Sequence, residues 1–316
     1  MKKILMGYDF RREGFTALED RFEVIYPENG NFSLAEIIEK ISDADVLVPS
    51  FSYRTDKDII EAGKNLKIIA NFGVGYNNID VDYATSKGIT VTNTPQAVLE
   101  PTAELCFALM QATARRVGYY NYKLHNGARL DWSLYGELGM PLYGQTLGIY
   151  GMGRIGQAVA RRAVASGMNI IYHNRNRLSE DIERIYNARY VDFDTLLTES
   201  DIISLNAPYT EETFHLMGET QFRKMKKTAI LVNTARGQLV DDEALINALK
   251  TGEIYAAGLD VFPNEPKIPE GYLALDNVVL CPHAGTKTLT ARTEMAKEVT
   301  KNIINFFEGG EINKVN

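Results

Sequence analysis

The sequence predicts an α/β protein of two domains, each built on a parallel sheet, and three observations carry that reading. Short apolar runs alternate with turn residues and amphipathic helical stretches along the whole chain. The length is 316 residues, 45% hydrophobic and 24% charged, which is globular and near the limit of a single core. Finally, the first 98 or so residues lack a glycine-rich phosphate fingerprint, whereas one opens the second set of strands.

Composition narrows the partners. Lys and Arg number 34 against 41 Asp and Glu, a net charge of −7, which argues against nucleic acid or an anionic membrane as the main partner. Two cysteines, Cys106 and Cys281, are too few for a disulfide framework or a thiolate zinc site. No apolar run approaches the ~18 residues of a membrane span. Asp9 also interrupts the N-terminal run before a signal-peptide core can form. The expectation is a cytoplasmic protein with no membrane and no nucleic-acid partner.

The expected strands of the first domain include residues 3–6, 46–48 and 66–70. A long helix is expected from Pro101, with Leu105, Ala108, Leu109 and Ala112 three and four apart. The second sheet opens at Leu147 and continues through the runs 169–172, 202–205, 229–232, 256–261 and 278–281. A last helix spans 288–307 and stops at Gly309-Gly310. If it returns to the first domain, the division is 1–98 plus 288–316 against 99–287.

Gly151-Met152-Gly153-Arg154-Ile155-Gly156 joins the run 147–150 to the helical stretch 155–165. In such a strand–turn–helix the first glycine makes the tight turn and the second lets a pyrophosphate approach the backbone. The third packs helix on strand, and the helix N-terminus faces the anion. The next strand ends at Asn174, 23 residues after Gly151, where a carboxylate would bind a ribose 2′-hydroxyl. Asn174 is uncharged and followed by Arg175 and Arg177, which suits a 2′-phosphate. NADP(H) is therefore expected over NAD(H), with two solvated surface arginines as the plainer alternative.

In open α/β sheets ligands lie beyond the carboxyl ends of the strands. Those ends carry Asn206-Ala207-Pro208, Asn233-Thr234-Ala235-Arg236-Gly237, Asp260, and Pro282-His283-Ala284-Gly285-Thr286. A hydride exchanged with a nicotinamide is matched by a proton exchanged with an alcohol oxygen, and histidine titrates near neutrality. A neighbouring acid, Asp260 or Glu265, would orient the imidazole, and Arg236 can clamp a carboxylate through two parallel hydrogen bonds. Singly, each has a plainer role: a satisfied buried histidine, a surface pair of Arg236 with Asp241 or Asp242, a solvated loop acid at 265. Together, beside a dinucleotide turn, they favour catalysis.

These residues resemble the D-isomer-specific 2-hydroxyacid dehydrogenases. The ordered set is residues 71–80 (Asn-Phe-Gly-Val-Gly-Tyr-Asn-Asn-Ile-Asp), the glycine turn, 232–237, 258–262, 264–266 and 282–285. The resemblance implies a discontinuous flavodoxin-like substrate domain and a Rossmann-type cofactor domain. It makes His283 the acid/base, Glu265 its partner and Arg236 the substrate clamp. It gives the amides around Val74 and Gly75 the substrate carboxylate, and Asp260 the nicotinamide carboxamide. Arg154 and Ile155 would follow the pyrophosphate, while Thr102, Ala207, Pro208, Thr213, Thr234, Ala235 and Gly285 would line the remaining cofactor. The segment 174–177 resembles NADPH-using glyoxylate and hydroxypyruvate reductases, so a small 2-oxo acid or 2-hydroxy acid is the expected substrate. Trp132, in an insert with Tyr119, Tyr120, Tyr122 and Tyr135, implies a homodimer interface. The alternatives are a D-lactate-type or other 2-oxo acid reductase, a phosphite-type dehydrogenase, and a non-catalytic NAD(P)-sensing corepressor.

Overall fold

Five short strands form the first sheet: β1 (Lys3–Met6), β2 (Glu23–Ile25), β3 (Val46–Val48), β4 (Ile68–Ala70) and β5 (Thr90–Thr92). Their order is β2-β1-β3-β4-β5, and every pair is parallel. Parallel neighbours require crossover connections, which cover both faces of the sheet. Successive side chains therefore enter opposite cores. Ile4, Val46 and Ile68 face one, and Leu5, Leu47 and Ile69 the other.

The computed structural model describes all 316 residues. Their contacts divide into one unit of Met1–Val98 with Thr286–Asn316 and another of Leu99–Gly285. The helix Leu289–Glu308 completes the first unit by placing Met295, Val299 and Ile303 in the core beside Ile4 and Val46. Thr288 caps its start by accepting from the Ala291 amide, and Gly309, at φ +80, ends it.

The second unit holds β6 (Thr146–Tyr150), β7 (Asn169–His173), β8 (Ala188–Tyr190), β9 (Ile202–Leu205), β10 (Ile230–Asn233), β11 (Ala256–Leu259) and β12 (Val278–Leu280). The order is β12-β11-β10-β9-β6-β7-β8, again all parallel. Chain direction across the sheet reverses between β6 and β9, which makes that gap the topological switch point. Every strand's carboxyl end lies on one edge, so the glycine turn shares it with the loops after β9, β10, β11 and β12.

One helix differs in phase from its expected stripe. Leu99–Ala114 begins two residues before Pro101 and buries Ala103, Cys106, Leu109, Met110 and Thr113. Ala108 is exposed, and Leu105 is only half-buried. The segment is apolar around most of its circumference, so periodicity alone does not select a face. No helix is long and apolar enough to cross a membrane.

Candidate active site

The turn after β6 has no room for side chains at two of its glycines. Gly151 sits at φ +90, and a Cβ there would lie 2.6 Å from the Ala207 amide nitrogen. A Cβ on Gly156 would lie 2.5 Å from the Gly151 carbonyl oxygen. Gly153, by contrast, faces open space and precedes the helix Arg154–Ala165 with no side chain capping its first turn. Unclaimed amides at an accessible helix start attract an anion. Nearby strand ends leave two buried oxygens, Asn206 Oδ1 and Thr234 Oγ1, without partners. These residues fit a dinucleotide, with its pyrophosphate on the turn beside Arg154 and Ile155.

The segment after β7 divides its polar groups between structure and solvent. Asn174 Oδ1 accepts from the Met152 amide at 2.6 Å, tying the glycine turn to the end of β7. Arg177 forks onto Glu183 at 2.9 and 2.7 Å, and Tyr172 donates its hydroxyl to the same carboxylate. Arg175 is exposed and makes no hydrogen bond within the chain, although its charge reaches Glu212. Of the two arginines, only Arg175 has an uncommitted fork. His173 is held by the Val191 carbonyl at 2.9 Å and stacks on Tyr190.

The loops after β10, β11 and β12 converge on one polar cluster. Gly237 permits it: a Cβ there would lie 2.0 Å from the Phe262 carbonyl carbon, so only glycine lets the Arg236 loop cross residues 262–263. Arg236 is partly buried, and that burial lowers its pKa against the opposing charge of Glu265. His283 Nδ1 stands 2.6 Å from Glu265 Oε2, while Glu265 Oε1 accepts from the Phe262 amide at 2.9 Å. Burial would raise the Glu265 carboxyl. The hydrogen bonds from His283 and Phe262, with the charges of His283 and Arg236, outweigh it and hold the carboxyl below the usual range.

Asp260, 1% exposed, accepts from the amides of Ala284 at 2.6 Å and Gly285 at 3.0 Å. Its pKa is raised by burial, which those amides only partly offset. His283 adopts φ +49, an uncommon conformation outside glycine. With Nδ1 on a carboxylate, its Nε2 is the nitrogen available to exchange a proton. Thr102 lies beside Gly285, Ala207 beside Gly151, Thr213 Oγ1 donates to the Pro208 carbonyl, and the Ala235 amide donates to Asn233. No group of three or more His, Cys, Asp or Glu has the arrangement to hold a metal.

The first unit, taken by itself, presents a set of backbone amides at the end of β4. Asn71, fully buried at the end of β4, donates to the carbonyls of both Gly73 and Gly75, at 3.0 and 2.8 Å. Asn93 donates to the Val74 carbonyl at 2.9 Å. In a planar trans peptide the N–H points opposite to the C=O. Pinning these three carbonyls turns the amides of Val74, Gly75 and Tyr76 the other way, and none of the three donates within the chain. Consecutive free amides form an anion nest. An asparagine after an apolar strand is the only sequence signal for Asn71, and Asn93 has no motif at all.

A Rossmann-ordered sheet with a glycine turn and a His–Glu–Arg cluster at its carboxyl edge defines a nicotinamide-dependent oxidoreductase. Residues 107–285 match the family described as D-isomer specific 2-hydroxyacid dehydrogenase, NAD binding domain, and the chain belongs to that family. It is 45% identical over 310 residues to a glyoxylate reductase of Korarchaeum cryptofilum, covering 97% of this chain and 93% of that one. A glyoxylate reductase of Thermococcus litoralis is 49% identical over 277 residues, or 86% of this chain and 83% of that relative. Among solved structures, an NADPH-dependent glyoxylate/hydroxypyruvate reductase from Sinorhizobium meliloti, in complex with NADP and malonate, superposes with TM-score 0.88. It is 31% identical and covers 99% of this chain and 96% of its own.

Glu183 supplies a pH test of the 172–183 network. Arg177 first, and Tyr172 next, hold its carboxyl down to about 2, against an unfolded value near ~4.3. Its contribution to stability is full above that unfolded value and is lost as pH falls toward 2. The stability gap between wild type and Glu183→Gln, read by urea denaturation, is expected to close between about pH 5 and pH 2. A gap independent of pH would assign the effect to packing.

Proposed function

We propose that the chain reduces glyoxylate and hydroxypyruvate to the corresponding 2-hydroxy acids, using NADP(H) in preference to NAD(H), as a homodimer. The observation that carries the catalytic reading is the 2.6 Å His283–Glu265 pair beside the partly buried Arg236. The relatives named glyoxylate reductase support the substrate. Arg175, exposed and uncommitted at the end of β7, supports recognition of a 2′-phosphate. Trp132 and Tyr135, 89% and 85% exposed in one loop, support a partner surface there.

In this reading the bound nicotinamide supplies the hydride that reaches C2 of the 2-oxo acid. His283 gives the C2 oxygen a proton from Nε2, and Glu265 orients the imidazole through Nδ1. Arg236 holds the substrate's carboxylate and carbonyl and stabilises negative charge developing on the C2 oxygen. In the first unit, the amides of Val74 and Gly75 would receive a carboxylate, and Asn71 positions them. Asp260 would hold the nicotinamide's carboxamide.

A panel of glyoxylate, hydroxypyruvate, pyruvate, phenylpyruvate and 2-oxoisocaproate, followed by NADPH and NADH oxidation, tests the reading. Glyoxylate and hydroxypyruvate with NADPH are expected to give the highest kcat/KM, and silence across the panel would overturn it. His283→Ala is expected to lower kcat by about 10²–10⁴-fold with NADPH affinity retained. Lost cofactor binding with persisting turnover would remove His283 from the acid/base role.

Arg175→Ala is expected to lower kcat/KM with NADPH about tenfold, the scale of one charged hydrogen bond, and to leave NADH use unchanged. An unaltered NADPH/NADH ratio would make Arg175 plain surface charge. Asn71→Ala is expected to raise KM for the 2-oxo acid about tenfold with little change in NADPH affinity. A fall in kcat at constant KM would mean that the substitution only reduces the folded fraction.

A further inference from the structure

The first unit contains a cavity of about 420 Å³ that no step above uses. Small-molecule sites span roughly 300–1,000 Å³, and a two-carbon oxo acid would leave most of this volume unfilled. Its floor is aromatic: Phe10, Phe15 and Phe72 pack with ring centroids 4.7–6.1 Å apart. The helix Leu289–Glu308 supplies one wall, from which Arg292 sets its guanidinium 5.9 Å from the centre of the Phe72 ring.

Arg292 differs from the other arginines near this cavity. Arg11 is paired with Glu13 at 2.9 Å and Arg12 with Asp9 at 3.4 Å, so those four charges cancel locally. Arg292 has no ion pair and makes no side-chain hydrogen bond, and its guanidinium lies over the Phe72 ring. It is half-buried, and burial lowers its pKa, with only the Tyr8 hydroxyl acting the other way. A desolvated cation without a counter-charge is costly, and an anion placed beside it recovers that cost. Lys287 at the rim is also unpaired and adds a second positive charge without a neutralising carboxylate.

We propose that this cavity is a binding site for an organic anion with an apolar body, its carboxylate on Arg292 and its aryl or branched alkyl group against the exposed Phe51 and Leu289 side chains of the wall. A charge-assisted fork to the carboxylate fixes the head, and covering the exposed Phe51 and Leu289 gives the body its affinity. Two sources share this chemistry. Phe51, at the cavity wall, stands against Gly73, where a Cβ would lie 3.2 Å from its ring, so the anion can be the far end of a long 2-oxo diacid held by the Val74–Gly75 amides. A separate small carboxylate, bound as an effector, is the other.

The test is calorimetric titration of the full-length protein, without cofactor, with 3-phenylpropionate and with its neutral amide. The acid is expected to bind at one site per chain and at least tenfold tighter than the amide. Arg292→Leu is expected to remove that difference, and Arg292→Lys to restore part of it. Equal binding of acid and amide, or no binding of either, overturns the proposal without needing a variant. An unchanged acid affinity in folded Arg292→Leu overturns it as well. Because no turnover is measured, the result stands apart from whether the chain reduces glyoxylate. Where the acid binds, its displacement by 2-oxoadipate in the same titration assigns the site to the far end of a 2-oxo diacid, and simultaneous binding of the two assigns it to an effector.

Discussion

The hydrogen bonds that bind Asp260 to the turn 282–285 hold the carboxyl edge of the second unit's sheet together. One buried carboxylate takes the amides of Ala284 and Gly285, and the carbonyl of the same residue takes the His283 amide at 2.7 Å. These three bonds stitch the end of β11 to the loop after β12. They maintain a left-handed His283, a conformation that costs of order 1–3 kcal/mol and persists only where its surroundings over-determine it. With that backbone the imidazole meets Glu265 at 2.6 Å. The cost of burying Asp260, visible in its raised pKa, is the local expense of a rigid site.

Parallel topology explains why a few residues far apart in sequence assemble here. With all seven strands pointing one way, the ends of β6, β9, β10, β11 and β12 lie on one edge, and each loop needs only a few residues to contribute. Glycine then decides how closely the loops approach. Gly151 admits Ala207 against the turn, and Gly237 lets the Arg236 loop lie over the segment that leads to Glu265. The first unit applies the same principle to its own edge, where Asn71 and Asn93 fasten carbonyls so that amides face outward.

Much of this arrangement is legible in the chain itself. The apolar runs locate nine of the twelve strands, because strands of parallel sheets are buried on both faces and read as continuous hydrophobic segments; β2, β5 and β8, all at sheet edges, carry no such run. The polar residues that end those runs mark the candidate site because in open α/β sheets ligands lie beyond the carboxyl ends of the strands. Other features are not legible. The buried face of Leu99–Ala114 depends on which side the sheet approaches a helix that is apolar most of the way round. Arg177 reads as a phosphate ligand until Glu183, a turn further on, is seen to occupy its fork. Asn93 is invisible because its partner, the Val74 carbonyl, belongs to a loop 19 residues earlier.

Local chemistry is therefore what the sequence determined alone. Glycine spacing selects the turn, apolar periodicity selects strand or helix, and residue type selects which groups can exchange a proton or grip an anion. The tertiary structure decided which of those groups have spent their capacity on one another. Hydrogen-bonding capacity and charge are finite, and whether a side chain retains any for a ligand depends on neighbours that only folding provides. Arg175 and Arg177 are two residues apart and chemically identical. One is exposed with its fork open, and the other is locked to a carboxylate.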